Sequence, residues 1–328
     1  MTPRMLCIAG LLALAACTTR MPGKSYAGPM PERQPDRAER LMSDVVVLAE
    51  EIGERNTRNP EALALAADYV EGRFHECGYA DVRRQGFMAG GRRVDNLEAV
   101  LPGTMRPDEV VVVGAHCDSA PGTPGADDNA SGVAALLELA CELSERPGQR
   151  SIHWVAYVNE EPPYFQTGEM GSLVHANAAA EAGVNVLGMM SLETIGYYRA
   201  EPKTQHYPFP LGAFYPKQGN FLAFVGNRAS KHLLRRAITV FRDHAFLPSE
   251  GGLAPSSIRG VGWSDHWSYW QQGIPAIMVT DTAPFRNANY HEPSDTPQTL
   301  DPGRLALAVE GLLPVVVDLA RVRSATGK

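Results

Sequence analysis

Three apolar runs along the chain each end on side chains able to bind a cation. Val110–Ala115 runs into His116, Ile152–Val158 into Asn159-Glu160-Glu161, and Val186–Leu192 into Glu193. Apolar runs of this length without polar alternation predict strands buried on both faces, as in a parallel sheet. Between them, Ser131-Gly132 opens a helix through Leu143 whose apolar face is Leu136, Leu137, Leu139, Ala140 and Leu143, and a second helix spans Glu169 to Ala182. This βαβαβ order predicts an α/β protein, a three-layer α/β/α sandwich around a central, largely parallel mixed sheet. A site is expected along the carboxyl edge of those strands.

The flanking sequence completes one domain. Leu41, Val45, Leu48 and Ile52 recur at helical spacing, as do Leu63, Ala67, Val70 and Phe74 after Pro60, and Gly78 stops that second helix. Val82–Phe87 and Val94–Leu101 read as strands bounded by Gly90-Gly91 and Pro102-Gly103. Residues 199–220, rich in prolines and aromatics without a period, predict a long surface loop near the site. Phe221–Val225 and Pro275–Thr280 are strand-like, Ser230–Phe241 is helical, and Pro302–Val322 forms a closing helix. A single catalytic domain over residues 37–328 is expected.

The N-terminus carries a different signal. Arg4 and the apolar run Met5–Ala16 read as a secretory signal peptide over residues 1–16. Leu14-Ala15-Ala16-Cys17 resembles the bacterial lipoprotein processing box, in which Cys17 becomes the lipidated first residue. Thr18 after that cysteine favours the outer membrane in this class. The expected product is an exported lipoprotein on the periplasmic face, with residues 17–36, rich in Pro, Gly, Arg and Ser, as a flexible tether. Removal of Cys7 and acylation of Cys17 leave Cys77, Cys117 and Cys141, so at most one bridge forms within the chain. Cys141 reads as a small buried hydrophobe on its helix. Cys117 points away from His116 by strand alternation and has no metal role.

Composition narrows the function only a little. With 44% hydrophobic residues over 328, the chain has material for a sizeable core. A formal net charge of −7 and no basic stripe argue against a nucleic-acid partner.

The chemistry sits in the polar ends. His116-Cys117-Asp118 followed by Gly-Ala-Asp127-Asp128-Asn-Ala-Ser-Gly brings an imidazole and carboxylates together, a hard N/O set suited to zinc or a similar divalent ion. With these motifs, the Glu160-Glu161 pair, Ser264-Asp265-His266 before Gly273-Ile274-Pro275-Ala276, and Tyr290-His291 with Ser294-Asp295-Thr296, the chain resembles the co-catalytic di-zinc exopeptidases. These include bacterial leucyl aminopeptidases and glutamate carboxypeptidase II; glutaminyl cyclases share their fold. The resemblance runs from Arg55-Asn56 to the closing helix.

That resemblance implies two Zn2+ ions bridged by Asp128, with Asp127 outside the site. One ion would take Asp128, Glu161 and His291, the other Asp128, His116 and Glu193. A shared anion offsets the repulsion of two close cations, and three protein ligands per ion leave a position for water. Glu160 would be the general base, Asp118 would orient His116, and Asp295 would orient His291. Asp265 and His266 would contact the ligand residues or the substrate. The family also has a cis peptide after the bridging aspartate. The remaining histidines, His153, His175, His232 and His244, read as ordinary packing residues.

The chain departs from the family in two places: Glu193 stands where many relatives have Asp, and Glu161-Pro162-Pro163-Tyr164-Phe165 reshapes a loop beside the base. The expected activity is release of N-terminal residues from peptides with free N-termini. The alternatives are a single-zinc acyltransferase of the glutaminyl cyclase type and a non-catalytic binding protein on the same fold.

Overall fold

The computed structural model describes residues 21–32, 34–209 and 211–321. Eight strands form one sheet: β1 (Val82–Ala89), β2 (Arg92–Leu101), β3 (Arg106–His116), β4 (Arg150–Tyr157), β5 (Asn185–Glu193), β6 (Leu222–Gly226), β7 (Ser249–Leu253) and β8 (Ala276–Thr280). Their order is β1-β2-β4-β3-β5-β8-β6-β7. The central β4, β3, β5 and β8 run parallel, while β1–β2, β2–β4 and β6–β8 pair antiparallel.

Strand alternation divides the core between the two faces. Val111, Val113 and Ala115 of β3 join Ile152, Trp154 and Ala156 of β4 in the larger core, while Val110, Val112, Val155 and Tyr157 enter the smaller one. Covering the larger face are α1 (Pro35–Val46), α2 (Pro60–Glu76), α3 (Gly132–Leu143), α5 (Lys231–His244) and α7 (Pro302–Leu319). The smaller face takes α4 (Gly171–Glu181) and α6 (His266–Gln271). Helices on both faces explain why the central strands are apolar throughout rather than alternating. The mixed α/β sandwich is therefore as the apolar runs predict.

Four details differ from the sequence reading. The strand β7 and the short α6 carry no sequence period and were not expected. The closing helix ends at Leu319, three residues earlier than expected, where Leu319 and Arg321 carbonyls accept from Arg150. Cys141 is not a lone hydrophobe: it is bridged to Cys77, Cα–Cα 4.7 Å, tying the end of α2 to α3. The signal was invisible in spacing because the two cysteines meet only when those helices pack. Finally, residues 21–26 of the proposed tether are held to the domain: Arg242 donates to the Pro22 carbonyl at 2.9 Å, and Ser25 Oγ accepts from Ser249 N at 2.8 Å. Residues 1–20, with the proposed signal peptide and Cys17, lie outside the described residues.

His153 and His175, read as packing residues, share one acid. Glu98 Oε1 lies 2.7 Å from His153 Nδ1 and 3.2 Å from His175 Nε2, on the smaller face of the sheet. No helix among the described residues is long and apolar enough to cross a membrane.

Candidate metal centre

The carboxyl ends of neighbouring parallel strands deliver most of the site. His116 is the last residue of β3 and Glu193 the last of β5. Beyond β4 the chain turns at Asn159, at a φ of 62°, and presents Glu160 and Glu161. Asp128 comes from the turn between β3 and α3. His291, at a φ of 59°, comes from the loop between β8 and α7.

These side chains converge in two groups that share Asp128. Oδ1 of Asp128 lies 3.2 Å from His116 Nε2, which is also 3.3 Å from Glu193 Oε2. Oδ2 of Asp128 lies 3.1 Å from His291 Nε2, itself 3.2 Å from Glu161 Oε1. One ligand atom from each member of either trio fits within 4.8 Å of the others. Five of these converging atoms, His116 Nε2, Asp128 Oδ1, Glu161 Oε1, Glu193 Oε2 and His291 Nε2, are buried without a hydrogen-bond partner. Buried polar atoms are nearly always satisfied, so five orphans gathered in two trios mark groups that could hold a metal ion. The donors are imidazole and carboxylate alone, which fits zinc or another divalent ion. Burial pushes the Cys117 thiol up to about 12, consistent with its exclusion from this set.

Ionisation follows from this crowding. Burial opposes a charge on His116, yet the carboxylates of Glu193, Asp118 and Asp128 outweigh it and lift its pKa well above the ordinary imidazole value. His291 is likewise raised to about 10 by Asp128 and Glu161, against burial. In turn the two imidazoles overcome burial and hold Asp128 below the usual carboxylate range. Burial, then Asp128, pushes Glu161 up to about 8. Glu160 is raised well above its ordinary value by burial, with Glu193 and Glu161 adding to it against His116. Its Oε2 lies 4.0 Å from His116 Nε2, beside the cluster but in neither trio.

The supporting residues only partly match expectation. Asp118 was expected to orient His116; its carboxylate is 3.5 Å from His116 Nδ1, whose nearer partner at 3.2 Å is the Asp118 carbonyl. The carboxylate instead accepts from Glu160 N and Glu161 N, both at 3.1 Å, and so sets the acidic pair. Asp295 was expected behind His291, but its oxygens accept from Asp127 N at 3.0 Å and Asp128 N at 3.1 Å. A carboxylate that bonds Asp128 N directly yet lies 167 positions away along the chain could not be assigned to it from spacing. The bond between Asp128 and Asn129 is cis, as the resemblance implies. Asp127 lies outside the trios, accepting from Gly196 N and Asn287 Nδ2.

Asp265 and His266 separate. Asp265 is buried with both carboxylate oxygens unpartnered, and burial pushes it up to about 7 while the charges on His116 and Glu193 act on it in opposite directions. His266 turns away: Nε2 is 2.8 Å from the Val261 carbonyl, the ring meets Trp270 edge-on, and burial lowers its pKa to about 4. While its Nε2 faces the Val261 carbonyl, its Nδ1 is buried without a hydrogen-bond partner. The sequence reading also missed Arg55, fully buried, which donates to the Cys117 and Gly125 carbonyls at 2.8 Å each and pins the loop after His116. Tyr290, next to His291 in sequence, stacks on its ring at 4.0 Å.

Beside the cluster lies an apolar pocket whose near end is Glu193, Thr194 and Tyr290. Its walls include Tyr207 and Tyr215 from the loop expected near the site, together with Trp263 and Phe285. The Pro162-Pro163 segment does not line it; that segment borders a separate crevice with Asn56 and Asp118.

Similarities to known proteins agree with this geometry. The chain is 38% identical over 287 residues to the uncharacterized protein YfbL of Escherichia coli K12, covering 85% of this chain and 87% of that one. It is 27% identical over 225 residues to a probable leucine aminopeptidase of Arthroderma otae, covering 64% of this chain and 53% of that protein. Among solved structures, a zinc aminopeptidase from Bacillus subtilis superposes with a TM-score of 0.68 at 15% identity, over 92% of this chain and 98% of that one. The profile described as peptidase family M28 matches residues 96–316, a stretch that holds His116, Asp128, Glu160, Glu161, Glu193 and His291. Because the match spans most of the chain and every side chain of the two trios, this protein belongs to peptidase family M28.

Proposed function

We propose that the chain is a zinc-dependent aminopeptidase that binds two ions, one through Asp128, Glu161 and His291 and the other through Asp128, His116 and Glu193. The observation that carries the reading is the shared Asp128, each of whose oxygens faces a different imidazole. Zinc held there supplies Lewis acidity, which lowers the pKa of water and polarises the scissile carbonyl. Glu160, outside both trios, is placed to take a proton from the attacking water and return it to the leaving amine. Asp118 holds the Glu160–Glu161 backbone, so base and ligand keep their relative positions. The apolar pocket beside Glu193 receives the first side chain of the peptide and limits cleavage to its N-terminal end.

The test compares amino-acyl chromogenic amides with N-terminal glutaminyl peptides, using zinc-loaded protein. We expect hydrolysis of the amides and no cyclisation. Cyclisation alone supports the single-zinc acyltransferase, and no turnover of either supports a binding protein.

For location, we propose anchoring through a lipid on Cys17. The Cys77–Cys141 bridge supports export, since disulfides persist in oxidising compartments. Cys17→Ser is expected to move the protein from the membrane to the soluble fraction; unchanged fractionation rules the anchor out.

A further inference from the structure

The pocket beside the cluster is mostly apolar between the Glu193 end and a second carboxylate, Glu250, and strand register explains how the two are related. Glu193 of β5 pairs with Thr280 of β8, Thr280 with Ala223 of β6, and Ala223 with Glu250 of β7. Laterally paired residues project from the same face of a sheet. One row therefore runs from a cation-site carboxylate, over a floor of threonine and alanine, to a second carboxylate. Three strand spacings separate the ends, about 14 Å between Cα positions. All four residues line the pocket.

Glu250 is half-buried and has no hydrogen bond or ion pair among the described residues. Neighbouring groups are otherwise engaged. Tyr215 donates its hydroxyl to the Gly251 carbonyl at 3.0 Å and Tyr207 to the Pro216 carbonyl at 2.6 Å, their rings stacked at 5.6 Å. Arg242, the cation that acts on Glu250 electrostatically, is spent on backbone: it donates to the carbonyls of Pro22 at 2.9 Å and Ser249 at 2.8 Å. Arg259, the cation that lines the pocket, is exposed and lies over the Trp263 ring at 5.3 Å. Burial raises the pKa of Glu250. A carboxylate facing an apolar cavity without a partner is costly to desolvate, and a cation entering the cavity removes that cost.

We propose that Glu250 makes this pocket select peptides whose N-terminal side chain is an apolar stem ending in a cation, that is, lysine or arginine. The inference rests on the aminopeptidase reading above and adds its substrate class. An extended lysine or arginine stem is roughly 6–7 Å long, and with the reach of a glutamate it closes the row; leucine does not. The aromatic walls favour the stem and attract the charge. An uncharged side chain filling the pocket would leave Glu250 desolvated and unpaired, so the same residue disfavours leucine and phenylalanine.

The experiment measures kcat/KM for lysyl, arginyl, leucyl and phenylalanyl p-nitroanilides with the zinc-loaded wild type and with Glu250→Gln, together with calorimetric binding of L-arginine and L-leucine. The expected result is a wild-type preference for the basic amides of at least about 10-fold, and a loss of about 10- to 100-fold on them in E250Q, chiefly in KM, with leucyl and phenylalanyl rates unchanged or raised. Equal effects on both classes, or none, would overturn the role of Glu250 while hydrolysis itself leaves the aminopeptidase reading standing. If no amide is cleaved, that reading fails and L-arginine binding decides the pocket: loss of binding in E250Q supports Glu250, and unaltered binding sinks it.

Discussion

Glu160→Gln retains its full metal content and loses about 100- to 10,000-fold in kcat on amino-acyl amides, the usual contribution of a positioned general base. The amide keeps the size of the side chain and removes its ability to accept a proton as a base. Glu160 contributes to neither trio, and the bond that places it runs from its backbone N–H to Asp118, which the substitution leaves intact. Metal content and KM are therefore expected to stay within a few-fold of wild type while turnover collapses. Metal analysis alongside steady-state kinetics distinguishes the cases. A near-normal kcat removes Glu160 from the proposed role, and a loss of metal makes it a ligand instead.

Asp128→Ala and His291→Ala should differ in stoichiometry. Because Asp128 belongs to both trios, its loss is expected to abolish binding at both positions, whereas His291→Ala spares His116, Asp128 and Glu193 and retains one ion. Loss of an outer-shell partner typically costs 10- to 100-fold in affinity, so removal of a direct ligand should exceed about 100-fold at its own position. The ionisation pattern gives a second readout. His291, raised to about 10 by Asp128 and Glu161, carries a proton near neutral pH before an ion binds, and an imidazole must be neutral to ligate. Ion binding near neutral pH should therefore release protons and weaken as pH falls, with less release in His291→Ala. Calorimetric titration in buffers of different ionisation enthalpy measures it. Two ions retained by Asp128→Ala would contradict the shared-ligand arrangement.

How much of this was legible depends on where the physics is local. The strands ending at His116, Tyr157 and Glu193 announce themselves because a strand covered by helices on both faces has no solvent side. Its central run is largely apolar, and the polar residues that follow mark its end. The β7 strand, Ser249-Glu250-Gly251-Gly252-Leu253, has neither alternation nor strand-forming side chains; pairing with β6 alone makes it a strand. The Cys77–Cys141 bridge and the contacts of residues 21–26 were hidden for the same reason, as each depends on how helices and edges meet. The side chains that converge were those the family resemblance implies, while the partners of Asp295 and His266 were not readable from it. A carboxylate or an imidazole near a ligand in sequence can face either way once the loop folds.

By itself the sequence determined the succession of strands and helices apart from β7 and α6, and which end of the sheet is polar, because those follow from apolar periodicity over a few residues. It also identified the side chains able to bind cations there. Tertiary structure alone decided that Asp118 and Asp295 hold backbone amides of the neighbouring acidic residues, and that Glu250 shares a row with Glu193. These are relations between residues distant along the chain, set by strand order and register, and no local pattern encodes them.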